Sequence, residues 1–331
     1  MSSEAEKTLR DAARQQKLVA REARARTNIP ADIVRLRMGL PLGKPSIRRP
    51  AETVSLESSI GMFRAHRIVA DGMVFFAPDL SGLESRLPQD EKGDRFLRRL
   101  IDKRYWPVDT IAKLLALTRG RLMLDVGANI GLTSIPRSIL GLFDHIHAFE
   151  PEPRNFSSLR AAIAENGLTG RMTAWSTAVG EANGTIELGL STGIGRHRVL
   201  RDEDAGIPTV TVPMISLDRW ASEAGVNPRE VGFIKVDAQG FEPHILKGAQ
   251  SFLSVSDVVW QLEVHVPLMA AGGTKAEDFR AQIERQFKAF LNLRDMGSGL
   301  RPVNEIGRLL AGLSTSPSYT DIVAITKGDV G

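Results

Sequence analysis

Two glycines and two acids pose the chemical question in this chain. Gly127 and Gly131 bracket Ala128, Asn129 and Ile130, Asp125 stands just before them, and Glu150 follows nineteen residues after Gly131. Glycine reaches positive φ without strain and lets a ligand approach the backbone closely. The apolar run Leu122–Leu124 with Val126 reads as a buried strand, so the glycines form a turn at its tip. Glu150 ends a second apolar run, His145–Phe149, which sets a carboxylate opposite that turn. Such a carboxylate suits the two hydroxyls of a ribose.

The turn is G-x-x-x-G and lacks the central glycine that lets a helix N-terminus reach a pyrophosphate. A carboxylate at Asp125 would repel phosphate. It could attract the cationic amine or sulfonium of S-adenosylmethionine, or accept amides of the turn itself.

More reactive groups stand at the ends of later apolar runs. Asp237 closes Gly232–Val236 and leads into Ala238-Gln239-Gly240-Phe241-Glu242, while Glu263 and His265 close the run that begins at Val258. An imidazole titrates near neutral pH, so His265 is the first choice for a general base, with Asp237 second. Glu263 or Glu242 could orient His265 or accept from a substrate hydroxyl. Arg196 and His197 lie in a stretch that also holds Arg198 and Arg201, suited to an acidic or glycosylated acceptor. His145 and His147 share one strand face and read as structural. No spacing of Asp, Glu and His compels a metal.

The elements that position these groups alternate. Strands are expected at 121–126, 145–149, 172–179, 232–237, 258–264 and 319–326. Helices are expected at 131–140, 153–165, 241–253 and 276–291, with a short one at 217–220. Asn183-Gly184 opens a hairpin whose arms are 185–190 and 209–213. The alternation predicts an α/β fold with a doubly wound, mostly parallel sheet. Ligands in such sheets sit beyond the carboxyl ends of the strands, which gathers the turn, Glu150, Asp237 and His265 around one crevice. Upstream, 4–26 reads as an exposed helix and 27–52 as a Pro- and Gly-broken linker. A hairpin spans 53–80 around Asp71-Gly72, with helices at 94–103 and 108–118. The resulting division is 1–52, 53–120 and 121–331.

Composition narrows the classes. The 331 residues are 42% hydrophobic and 25% charged, ordinary for a globular chain. Cysteine is absent, which removes disulfides, thiolate metal sites and cysteine nucleophiles. No apolar run is long enough to span a bilayer and the N-terminus has no apolar signal core, so a cytoplasmic enzyme is expected. The formal net charge is +4. Residues 1–50 hold twelve Lys and Arg against five Asp and Glu, a surplus of seven, so the remainder carries −3. The basic extension could touch an anionic membrane surface, but without aromatic residues among its cations no nucleic acid is expected. The oligomeric state is not legible.

Several segments occur in a telling order: DVGANIG (125–131), FEPEP (149–153), ISLDRW (215–220), IKVDAQGFE (234–242), LKGAQSFL (246–253) and LEVH (262–265). Together they resemble the FkbM-like family of S-adenosylmethionine-dependent methyltransferases over roughly residues 105–326. The resemblance implies a seven-stranded, class I methyltransferase-like sheet. It also implies O-methylation of a hydroxyl on a sugar, glycolipid or secondary metabolite. It would place S-adenosylmethionine over Asp125, Gly127, Asn129 and Gly131, its ribose at Glu150, and its adenine near Thr177 and Ala178. The family usually carries a glutamate where this chain has Gln239, an amide that cannot act as a base. That departure motivates a second reading, a methyltransferase-fold binding protein without turnover. A nicotinamide-dependent oxidoreductase is a third, disfavoured by the missing glycine.

Overall fold

The computed structural model describes residues 52–70, 73–79, 121–190, 198–199, 206, 208–314 and 319–328. The helices expected at 4–26, 94–103 and 108–118, and Arg196 and His197, lie outside these residues.

The first three strands, β1 (Glu52–Ser58), β2 (Gly61–Ala70) and β3 (Met73–Pro78), form an antiparallel meander. This fulfils the hairpin expected on either side of Asp71-Gly72. Every residue of β3 is buried. Its outer edge meets Asn166, whose Oδ1 accepts from Val74 N at 3.0 Å and whose Nδ2 donates to Val74 O at 2.7 Å. One side-chain amide thus satisfies a backbone pair at the strand edge.

The main sheet runs β14-β13-β15-β12-β11-β4-β5-β6. Its parallel heart is β4 (Leu122–Val126), β5 (His145–Phe149), β6 (Met172–Trp175), β11 (Val231–Val236) and β12 (Val259–Val264). These strands are largely apolar and buried, and each large apolar side chain so buried contributes about 1.5–3 kcal/mol. The chain leaves β4 toward β5 and β6, then returns to β11 on the other side of β4. That reversal opens the crevice between the tips of β4 and β11. At the far side β15 (Thr320–Thr326) is antiparallel to β12, β13 (Phe287–Asn292) is antiparallel to β15, and β14 (Arg301–Pro302) is a two-residue edge. The doubly wound, mostly parallel expectation holds, with β14 added as an eighth strand.

A second sheet, ordered β7-β10-β8-β9, contains β7 (Ala178–Val179), β8 (Gly184–Gly189), β9 (Arg198–Val199) and β10 (Thr209–Ile215). The strand expected over 172–179 is therefore two: β6 stays in the main sheet and β7 pairs with β10. Helices α1 (Ser134–Leu140), α2 (Pro153–Glu165) and α3 (Leu217–Ala224) follow the expected order.

Two further boundaries differ from expectation. The helix expected over 241–253 is split into α4 (Glu242–Lys247) and α5 (Gln250–Leu253). Gly248 sits where a Cβ would lie 2.1 Å from Gly180 O, so the chain turns there against the β7–β8 link. After α6 (Val266–Ala271), α7 (Ala276–Gln286) stops five residues before the expected 291, and β13 begins at Phe287. Phe279, Ile283, Phe287 and Phe290 recur at helical spacing, but the last two belong to a strand that pairs with β15. Sheet pairing overrides the local period there. The last helix is α8 (Ile306–Ser314). Among the described residues, no helix is long and apolar enough to cross a membrane.

Candidate active site

The turn after β4 is closed from within. Gly127 and Ala128 donate to Phe149 O at 3.0 and 2.9 Å, which ties the turn to the tip of β5. Gly127 has φ of 76°, and a Cβ there would lie 2.0 Å from Asp237 O. At Gly131, φ is 88° and a Cβ would meet Ile135 and Leu159 at 2.7 and 2.8 Å. The glycines are thus required first by the protein's own packing, and not only by the approach of a ligand. Between them Asn129 takes φ of 54°. Its Oδ1 accepts from Ile130 N at 2.8 Å, the local bond that makes asparagine tolerant of the left-handed region. Helix α1 starts at Ser134, three residues later than expected, and Ile135 N bonds Gly131 O at 3.0 Å.

Glu150 holds this turn in place. Its Oε2 accepts from Asn129 N at 2.7 Å and its Oε1 from Glu152 N at 3.0 Å. The residue is 5% exposed. Burial pushes its carboxyl up to about 8, with the nearby Glu152 charge adding to the rise and the two amides opposing it. A carboxylate offers about four acceptor positions, and the two amides with the Asn155 side chain, which also bonds it, leave room for a hydroxyl donor. The acceptor therefore suits a ribose hydroxyl. Glu152, to which the sequence reading gave no role, caps α2: its Oε2 accepts from Asn155 N at 2.7 Å, and Pro153 occupies the first turn.

Across the crevice lies a polar stripe that alternates along the strands. Asp125, Lys235 and Gln261 are in register on β4, β11 and β12, and one step nearer the tips come Asp237, Glu263 and Asp321. Successive side chains on a strand point to opposite faces, so these residues share one face. Lys235 Nζ lies 3.6 Å from Asp125 Oδ1 and 3.3 Å from Asp237 Oδ2. Burial disfavours its ammonium, yet Asp237, Asp125 and Asp321 outweigh that and hold its pKa above the usual lysine value. Arg137 of α1 closes the stripe from beneath. It donates to Gln261 Oε1 at 3.0 Å and lies 5.0 Å from the Phe233 ring centre, and burial draws its pKa down to about 10. Gln261 in turn donates to Asp321 Oδ2 at 2.7 Å.

The expected acids fall into different environments. Asp237 has a side chain 37% exposed, and its Oδ1 accepts from Gln239 Nε2 at 3.2 Å. Glu263 is 8% exposed and accepts the same Nε2 at 3.0 Å through Oε2. Burial, then the charges of Asp237, Glu242 and Asp321, raise the Glu263 carboxyl well above its ordinary range. Glu242 is fully buried and accepts from Ala238 N at 2.7 Å, and burial pushes it up to about 7. That bond makes Glu242 a brace for its own loop. Asp125, expected at the ligand, is also fully buried and faces Lys235.

His265 has a structural task as well. It precedes α6 as the cap, and Nδ1 accepts from Leu268 N at 3.3 Å. An accepting Nδ1 puts the neutral ring's proton on Nε2. Its ring also stacks on Tyr319, with centres 6.0 Å apart. Ala178 is buried in β7 beside Thr177, whose Oγ1 donates to Pro213 O at 3.1 Å. His145 and His147 are packed side by side, 4.8 Å between ring centres. His147 also accepts the Trp175 indole N–H at 3.3 Å, and burial draws it down to about 4. Among the described residues, no group of three or more His, Asp and Glu is arranged to hold a metal.

The sequence reading passed over Lys235, Gln261, Asp321 and Arg137. A signal for the first two was present: Lys-x-Asp and Gln-x-Glu place polar residues at alternate positions of strands that are otherwise apolar.

Comparison with known proteins places the chain. The model of the methyltransferase FkbM domain matches residues 125–294, just over half of the sequence. No curated protein matches. Among solved structures, a methyltransferase FkbM from Methylobacillus flagellatus KT is 15% identical at a TM-score of 0.36. That match covers 62% of this chain and 43% of the other, so less than half of that protein's length is spanned. Magnesium protoporphyrin IX methyltransferase from Synechocystis PCC 6803, solved with S-adenosylmethionine bound, is 13% identical at a TM-score of 0.38. Here 75% of this chain and 92% of the other are covered. Both likenesses are distant, and the family match spans the glycine turn, Glu150, Asp237, Gln239 and His265 in one segment. The chain belongs to the FkbM family of S-adenosylmethionine-dependent methyltransferases.

Proposed function

We propose that this protein methylates a hydroxyl of a small-molecule or glycan acceptor, such as a sugar, a glycolipid or a secondary metabolite, with Asp237 as the carboxylate that meets the acceptor. One observation carries the reading. Asp237 is 37% exposed at the side chain, it is held by Lys235 and Gln239, and its backbone carbonyl abuts Gly127 of the turn. A hydroxyl oriented by Asp237 would therefore sit beside whatever occupies the turn.

S-adenosylmethionine, when bound, supplies a methyl group already activated on a sulfonium. The protein's part is to hold the acceptor in line and take its proton. In this reading Glu150 receives the ribose hydroxyls, the backbone of Gly127 and Asn129 lines the cofactor, and Ala178 borders the adenine. Asp237 then accepts the hydroxyl proton. Lys235 pairs with Asp237 and holds it in place. His265, donating from Nε2, would orient the acceptor oxygen without deprotonating it.

The test is transfer of labelled methyl from S-adenosylmethionine to a panel of hydroxyl acceptors, run with the wild type and Asp237→Asn. Loss of transfer with cofactor binding retained is expected. Transfer undiminished in Asp237→Asn would remove Asp237 from the role. The alternative, a binding protein without turnover, is favoured by Gln239 standing where a carboxylate could act. Tight cofactor binding with no transfer to any acceptor would select it.

A further inference from the structure

We infer that Gln239 is the positioning residue of an Asp237–Glu263 acid pair, its amide filling the place between the two carboxyl groups that a shared proton would otherwise have to fill. The inference deepens the reading of Asp237 given above and rests on it for its functional meaning.

Gln239 Nε2 lies 3.2 Å from Asp237 Oδ1 and 3.0 Å from Glu263 Oε2. An amide nitrogen has two hydrogens, one for each carboxyl group, and only this orientation avoids setting its oxygen against an acid. The backbone is bent to allow it. Gln239 takes φ of 55° and Gly240 follows at 97°. Non-glycine residues persist in that region where their surroundings over-determine them. The surroundings here are tight: a Cβ on Gly240 would lie 2.6 Å from the Leu268 backbone.

The charged groups facing the pair come from several elements. Lys235 on β11 neutralises Asp237, while Glu242 of α4 and Asp321 of β15 add negative charge around Glu263. Asp125 of β4 and Arg137 of α1 lie behind Lys235. Among so many acids, a neutral two-fold donor bridges Asp237 and Glu263 without adding another charge. A carboxylate at position 239 would set three acids together and demand a proton among them.

The experiment is thermal unfolding against pH, with Gln239→Glu, Gln239→Met and the exchanged double variant Gln239→Glu/Glu263→Gln. Gln239→Glu should match the wild type near pH 5 and melt roughly 5 °C or more lower near pH 8. Gln239→Met should be destabilised without that added pH dependence. The double variant returns an amide to the pair and should regain the wild-type profile. Equal pH profiles for Gln239→Glu and wild type would overturn the inference. A double variant no better than the sum of the single changes would overturn it as well. If Gln239→Glu does not fold at all, recovery in the double variant supports the pairing and its absence refutes it. None of these measurements uses cofactor or acceptor, so a failure of methyl transfer and a failure of this pairing are told apart.

Discussion

The two sides of the crevice hold their acids by opposite means. On the cofactor side, Glu150 is fixed by backbone amides of Asn129 and Glu152, and the glycines around it are packed against Asp237, Ile135 and Leu159. On the acceptor side, Asp237 and Glu263 are fixed by side chains, Lys235 and Gln239. Backbone donors remain whatever residue bears them, so the first side is set by chain path. The second can be altered by one substitution. One half is a fixed receptacle, and the other is a network whose charge balance is adjustable.

The sharpest way to break that comparison is Lys235→Met. Removing one partner from a buried ion pair leaves an uncompensated charge and costs about 3–5 kcal/mol. Asp125 is fully buried beside Lys235, so chemical denaturation should show a loss on that scale. A loss under about 1 kcal/mol would mean that the stripe is not held by its charges. Next in size is Glu150→Ala, expected to weaken S-adenosylmethionine binding by ~1–3 kcal/mol, the scale of hydrogen bonds to a charged group. An unchanged dissociation constant would place the ribose elsewhere. Smallest is His265→Ala, expected to cost about 0.5–2 kcal/mol of stability through loss of the α6 cap. Its effect on methyl transfer should be modest, and loss of more than about two orders of magnitude with binding intact would restore His265 as the base.

The same contrast explains what could be read from sequence. The cofactor side is local: DVGANIG and FEPEP each lie within one strand–turn unit, so their residue types carry their meaning. FEPEP even encodes two tasks, with Glu150 bracing the turn and Glu152 capping α2. The acceptor side depends on register between strands far apart in sequence. Gln239 and Glu263 meet only because β11 and β12 are neighbours, and Asp321 joins them only because β15 inserts antiparallel. Neither pairing has a local signature. At His265 residue type suggests a base, and its place before α6 adds the task of a cap, which no local pattern announces. The helix read through 291 misled because four apolar residues kept helical spacing into a strand.

The central claim is that Glu150 receives the ribose, and calorimetric titration with S-adenosylmethionine across pH tests it most directly. The folded Glu150 carboxyl, raised to about 8 chiefly by burial, holds a proton below that pH, while in the unfolded chain it would have lost it. The free protein therefore loses stability from this group as pH rises through that window. Ribose hydroxyls bond the charged form more strongly, so affinity should rise between about pH 6 and 8, with proton release that Glu150→Ala abolishes. Absence of binding at millimolar cofactor, or an affinity with the same pH dependence in Glu150→Ala as in the wild type, would contradict the account.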